Sequence, residues 1–250
     1  MPRLLLTGVA AALLIAHVPA RAQVIVHDVF GAYLNSLRDQ AGIPGLAAAI
    51  VDSDGIAWEQ AYGRQDIGRT IAARPDTPFN ADGRTQVFTA AIVLRCTEEG
   101  RLSLDDPIGA YRRVDTDEPD ATIRQLLTHT TEAPGGLTFA LRPERLAPLW
   151  PIVRACTEDS YRETLANLLA RLAMTDSVPG PNIINLVPPS EGMPAREDAE
   201  RYAAILQRRA APYVVDDRGR VARGQHPSSA EALTPSSGLV TSVRDLAKFD

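Results

Sequence analysis

The sequence predicts an α+β fold with an antiparallel sheet against helices. Three observations predict it. An amphipathic segment runs straight into a strand–turn–strand pattern, an almost wholly apolar helical segment follows, and most later periodic segments have helical spacing.

In the first segment, 24–40, Val29, Phe30, Tyr33, Leu34 and Leu37 fall at helical spacing. Gly42-Ile43-Pro44-Gly45 breaks it. The apolar run 46–51 reads as a buried strand, Asp52-Ser53-Asp54-Gly55 as a turn, and 56–62 as the returning strand. Residues 64–79, with Pro75 and Pro78, read as loop. Asp82 is the expected N-cap of a helix over 83–98, with Gly100 as its stop. Residues 87–94 are apolar on nearly all sides, so this helix is expected at the centre of its domain.

A short helix is predicted over 122–130, ended by Pro134-Gly135-Gly136. Residues 161–172 follow as a helix with Leu165, Leu168, Leu169 and Leu172 on one face. The span 178–194 reads as a long loop, 197–209 as a helix, 214–221 as a strand and tight turn, and 242–250 as the start of a helix. There is no internal repeat and no low-complexity tract.

The first residues read as an export signal: Arg3, an apolar run 4–18, and the small residues of Pro19-Ala20-Arg21-Ala22. The run is about 15 residues, short of the roughly 20 that span a bilayer, so a cleaved signal over 1–22 is expected and no membrane span after it. The expected location is the periplasm or the outside of the cell. The net charge is −5. Cleavage would remove Arg3 and Arg21 and no acid, leaving 24 basic against 31 acidic side chains, or −7. A nucleic-acid partner, which wants a basic face, is not expected.

An oxidising compartment raises the question of the two cysteines, Cys96 and Cys156, both on apolar-periodic segments. A disulfide and two buried thiols fit equally well, and the spacing is neither metal-like nor redox-like. The chain contains one lysine, Lys248, so a mechanism needing lysine must use that residue or none.

Several stretches resemble the serine beta-lactamase and penicillin-binding-protein superfamily, nearest its class C-like branch, with coverage from about residue 29 to 250. They are Gly42-Ile43-Pro44-Gly45-Leu46-Ala47, Glu98-Glu99-Gly100-Arg101-Leu102-Ser103-Leu104-Asp105-Asp106-Pro107, Thr122-Ile123-Arg124-Gln125-Leu126-Leu127-Thr128-His129-Thr130, Leu172-Ala173-Met174-Thr175-Asp176-Ser177, and Ser237-Gly238-Leu239-Val240-Thr241-Ser242-Val243-Arg244-Asp245-Leu246. The resemblance implies a beta-lactamase/transpeptidase-like fold: an antiparallel sheet flanked by helices, a helical subdomain, and an active-site cleft between them. The stretch from His129 to Leu141 is shorter than the family expects, so the subdomain is expected to be reduced. The family continues into C-terminal strands where this sequence stops at Asp250, so those strands are expected to be missing, along with the Lys-Thr-Gly or His-Thr-Gly edge.

The family chemistry needs a serine at the start of the buried helix and a lysine one turn later, because side chains at i and i+3 share one face. A desolvated lysine takes the serine's proton and the alkoxide attacks a carbonyl. The resemblance aligns Gly83 with the serine and Gln86 with the lysine. Glycine offers no nucleophile, and the glutamine amide is no base at neutral pH. The assisting Tyr-x-Asn falls at Leu141-Arg142-Pro143, so Leu141 and Pro143 replace its functional groups. No Gly-x-Ser-x-Gly, His-Glu-x-x-His or paired-cysteine site substitutes, and neither metal nor cofactor is expected. Thr85 and Ser103 are read as capping or turn hydroxyls.

The expected function is therefore an exported, beta-lactamase-related, catalytically inactive domain that binds a small molecule or peptide, such as a cell-wall-derived one. Two alternatives stand beside it. One is an active serine hydrolase (esterase, D-aminopeptidase or beta-lactamase-like) with displaced residues. The other is a truncated relative without function.

Overall fold

The computed structural model describes residues 19–111, 114–133, 136–186, 190, 192–226 and 231–250. The expected export segment falls mostly on 1–18 and the Pro134-Gly135 turn on 134–135, outside the described residues.

Helix α1 (Pro19–Gln40) leads into β1 (Gly45–Asp52) and β2 (Gly55–Asp66). The strands pair antiparallel from Gly45↔Gly63 to Asp52↔Gly55, with a register shift at Ile50/Val51. Asp52 closes the turn by accepting the Asp54 N–H at 2.8 Å. Gly63 has φ +73°, and any side chain there would strike the carbonyl of Pro44. The loop expected over 64–79 instead carries the end of β2, β3 (Ile71–Ala72) on its far edge, and the start of β4 (Phe79–Asn80). β3 folds back on the end of β2 through a short turn, whereas β4 is extended by pairing with a strand far along the chain.

α1 lies on this sheet through only part of the face its periodicity advertises: Phe30 meets it, joined by His27 and Gly31. Gly31 sits over the Tyr62 hydroxyl, and His27 and Phe30 flank Trp58 with ring centroids at 6.1 and 5.7 Å. Val29 and Tyr33 are 65% and 58% exposed, and Leu37 also faces outward.

Helix α2 (Thr85–Glu98) follows a 3₁₀ turn (Asp82–Arg84) and buries Thr85, Phe88, Thr89, Ile92, Val93 and Cys96. It packs against α4 (Leu149–Thr157) and α5 (Tyr161–Arg171), where Leu149, Ile152, Val153, Leu165 and Leu169 complete the main core. The core is thus helical, and each such buried side chain stabilises it by about 1.5–3 kcal/mol. α2 is less enclosed than its composition predicts, since Val87 and Leu94 are exposed. Cys96 and Cys156 are bonded to each other and join α2 to α4.

The 122–130 segment is shorter than expected. α3 (Ile123–Leu127) starts with a Thr122/Gln125 capping box, but Thr130 already belongs to β5 (Thr130–Ala133), which pairs with β6 (Gly136–Phe139). Within the expected loop 178–194, β7 (Val178–Pro179) and a 3₁₀ turn (Pro181–Asn185) form. Buried Arg162 pins this region by donating to the Pro179 carbonyl and to Asn182 Oδ1, and burial pushes its pKa down to about 10. Then come α6 (Arg196–Gln207), the hairpin β8 (Tyr213–Val215) and β9 (Val221–Arg223), β10 (Leu239–Thr241) between β4 and β7, and α7 (Val243–Phe249) capped by Ser242.

Two carboxyls that tie turns set an acid limit. Ser160 holds Glu163 low through its hydroxyl and its N–H; the Ser103 N–H holds Asp106 low, with help from the Tyr111 hydroxyl. Carboxyls with folded pKa values below their unfolded ones stabilise the protein above the unfolded value, about 4. That stabilisation disappears as the pH falls through the folded values. Thermal melts are expected to be flat near neutrality and to drop below pH ~4; a midpoint unchanged down to pH ~2 would contradict these hydrogen bonds.

Candidate functional site

The entry to α2 is fixed by its neighbours. Asn80 and Phe79 pair with Val240 and Thr241 of β10, and Ala81 N donates to Leu239 O at 2.8 Å. Asp82 then takes φ +40°, a conformation that costs on the order of 1–3 kcal/mol outside glycine. Its side chain is not the expected N-cap: Ala81 occupies the cap without a side-chain bond. The Asp82 carbonyl accepts instead, from Thr85 Oγ1 at 2.7 Å, and Thr85 Oγ1 accepts the Leu239 N–H at 3.1 Å. Thr85 is thereby committed to the helix–sheet junction. Ser103 accepts the Asp105 N–H at 3.2 Å within its own turn.

Gly83 and Gln86 do face one another. A Cβ built on Gly83 would lie 3.6 Å from Gln86 Nε2, an ordinary contact, with nothing else within 4 Å. Gln86 Oε1 accepts from His129 Nε2 at 2.7 Å. His129 sits just past α3 with φ +51°, 8% exposed, and its Nδ1 is the one buried side-chain polar atom without a partner among the described residues. Phe139 of β6 stands edge-on to it at 6.3 Å.

Gly83, Gln86 and His129 line an open cleft of about 640 Å³. Val87, Leu127 and Leu141 are its larger apolar walls. Leu141 therefore reaches the site, whereas Pro143 begins a 3₁₀ turn (Pro143–Leu146) and is not part of the lining. Among the described residues, the lining holds no hydroxyl, thiol, carboxylate or amine. Its one permanent charge is Arg84, whose backbone N–H donates to Ala81 O at 2.9 Å and whose guanidinium has no partner among the described residues. No group of side chains suited to a metal ion occurs among the described residues. Lys248 is not part of the cleft lining; it donates to Ala173 O at 2.5 Å and to Asp245 Oδ1 at 2.8 Å.

Sequence reasoning missed Arg84 and the Gln86–His129 bond. The partners of that bond stand 43 residues apart, and local sequence carries no signal for it.

Residues 30–250 match the profile of the beta-lactamase family. The chain belongs to that family. Similar proteins include Protein flp of Staphylococcus aureus, 30% identical over 101 residues, which are 38% of this chain and 20% of that protein. The mitochondrial serine beta-lactamase-like protein LACTB of Bos taurus is 22% identical over 102 residues, 38% of this chain and 18% of that one. The chain thus matches about one-fifth of the length of these curated relatives. Among solved structures, the octameric penicillin-binding protein homologue from Pyrococcus abyssi superposes with TM-score 0.69 at 20% identity, covering 88% of this chain and 54% of that one. FmtA from Staphylococcus aureus gives 0.65 at 14% identity, covering 87% and 63%. At such identities the likeness establishes the beta-lactamase/transpeptidase fold and leaves activity to the site itself. No helix among the described residues is long and apolar enough to cross a membrane.

Proposed function

We propose that this beta-lactamase-family chain is a non-hydrolytic member that is exported and binds a small-molecule or peptide ligand in the cleft at the start of α2. The observation that carries this reading is the facing pair Gly83 and Gln86. The position aligned with the nucleophile has no side-chain atom, and its neighbour is an uncharged amide 3.6 Å from where a Cβ would stand. Acyl transfer by this family's route needs an oxygen at the first position and a proton acceptor at the second. The cleft has apolar walls in Val87, Leu127 and Leu141, which suits binding. Export is supported by the charged-then-apolar N-terminus and by the Cys96–Cys156 bond, which persists in oxidising compartments.

Incubation with fluorescent penicillin, followed by intact-mass measurement, is expected to leave the wild-type mass unchanged. A covalent adduct on the native chain would overturn the reading. N-terminal sequencing of the exported protein is expected to begin at Gln23.

A further inference from the structure

We infer that His226 is an acid-released latch: its neutral ring ties the β8–β9 hairpin to β4, the strand that leads into the cleft, and its protonated ring lets that strand go. The tie joins residues 146 apart in the chain. Asn80 Nδ2 and His226 Nδ1 stand 2.8 Å apart, both partly buried. A third residue decides which atom donates. Arg209 Nη1 donates to Asn80 Oδ1 at 3.4 Å. A guanidinium can only donate, so the amide turns its oxygen to Arg209 and its NH2 to the ring. An amide NH2 can only donate as well, so His226 Nδ1 is the acceptor and carries no proton. The contact therefore exists only while the ring is neutral. Protonation sets one N–H against another and removes it.

Among the described residues, the charges that act on this ring are Arg209 just past α6, Arg223 of β9 and Glu231. Burial is the largest influence and holds the ring's pKa below the ordinary histidine value of 6.5. Arg209 lowers it further, Glu231 opposes, and Arg223 lowers it again. Glu231 is already paired with Arg209 at 3.2 Å, which weakens its hold on a charged ring. The latch is thus closed above pH 6.5 and opens as the pH falls through the lower, folded value. The hairpin's attachment to β2 does not open with it. There the Ile67 N–H donates to the Tyr213 hydroxyl at 2.7 Å and Arg223 reaches Asp66 Oδ2 at 3.5 Å. The Arg69 N–H, before any other group, keeps the Asp66 carboxyl below the usual carboxylate range, so this end stays charged in mild acid. The strand released is the one that sets the cleft entrance. Asn80 pairs with Val240, and the next residue, Ala81, is the cap of the 3₁₀ turn that carries Gly83 into the cleft lining.

Two measurements on the purified chain test the latch. In the first, the histidine Cε1–H resonances are titrated by NMR, with His226→Gln assigning the ring. His226 is expected to titrate below pH 6.5. Asn80→Asp, which puts a carboxylate where the donor stood, is expected to raise its midpoint by about one unit or more. The second is hydrogen–deuterium exchange, corrected for the intrinsic effect of pH on amides. Peptides covering 79–81 and 221–226 are expected to exchange several-fold faster at about pH 4.5 than at about pH 7.5 in the wild type. His226→Gln offers an amide oxygen to Asn80 at either pH. It is expected to remove that difference, with circular dichroism confirming the fold. A His226 midpoint at or above 6.5, a midpoint unmoved in Asn80→Asp, equal corrected exchange at the two pH values in the wild type, or a His226→Gln variant that keeps the difference would each overturn the inference.

Discussion

Replacing Cys96 and Cys156 together with alanine is expected to lower stability by about 4 kcal/mol, from the loop-closure entropy of a bond spanning 60 residues. The bond ties α2 to α4 across the middle of the main core, and Arg101 Nη1 donates to Cys156 O at 2.8 Å beside it. Both cysteines are buried, so serine would add unpartnered hydroxyls; alanine isolates the cross-link more cleanly. In a domain of this size, 1 kcal/mol shifts the melting midpoint by roughly 2–4 °C, so the midpoint should fall by on the order of 10 °C. Urea unfolding of the oxidised wild type against the double variant measures it. A loss below about 1 kcal/mol would mean that the bond does not constrain the unfolded chain.

Asp245→Ala is expected to cost about 2–3 kcal/mol, the loss of hydrogen bonds to a buried charged acceptor with a partner cation that stays partly solvated. Asp245 is fully buried. It accepts the Asp176 N–H at 2.7 Å, the Ser177 hydroxyl at 2.8 Å and the Lys248 ammonium at 2.8 Å. Ser177 in turn meets Thr241 of β10 at 2.7 Å, so one carboxylate joins α7, β10 and the turn after α5. Alanine would leave the Asp176 N–H without this acceptor, and Lys248 and Ser177 with only Ala173 O and Thr241 Oγ1. Asp245→Asn keeps the shape and part of the bonding and should lose clearly less. If the two variants were equally mild in chemical denaturation, the network would not hold these elements together.

The elements readable in the sequence were those whose causes are local. The hairpin of β1 and β2 follows from an apolar run, an Asp-Ser-Asp-Gly turn and a second alternating run, and it forms with that turn. The apolar density of 87–94 announced a core helix, although Val87 and Leu94 show that density alone does not say which flank is covered. In α1 the periodicity points to Phe30 correctly but to Val29 and Tyr33 wrongly. The sheet meets His27, Phe30 and Gly31 because Trp58 and Tyr62 project there, a fact held in another segment. β3, β4 and β7 are two-residue strands created by partners, and their own residues include proline. At the cleft, Gly83 and Gln86 could be located because the resemblance supplies a register. Arg84 had no such marker, since one arginine among many gains meaning only from its position in the cleft lining.

The twisted backbone at Asp82 has a wider implication. A residue forced into left-handed territory beside a substrate cleft is commonly taken as a mark of catalytic tension. Here Thr85 latches the Asp82 carbonyl on one side and the Leu239 N–H on the other, so the contortion belongs to the splice between helix and strand. It would persist whether or not any reaction took place one residue later. In this architecture, torsional discomfort at the helix entrance testifies to how the scaffold is fastened, and evidence for turnover has to come from the atoms that would react.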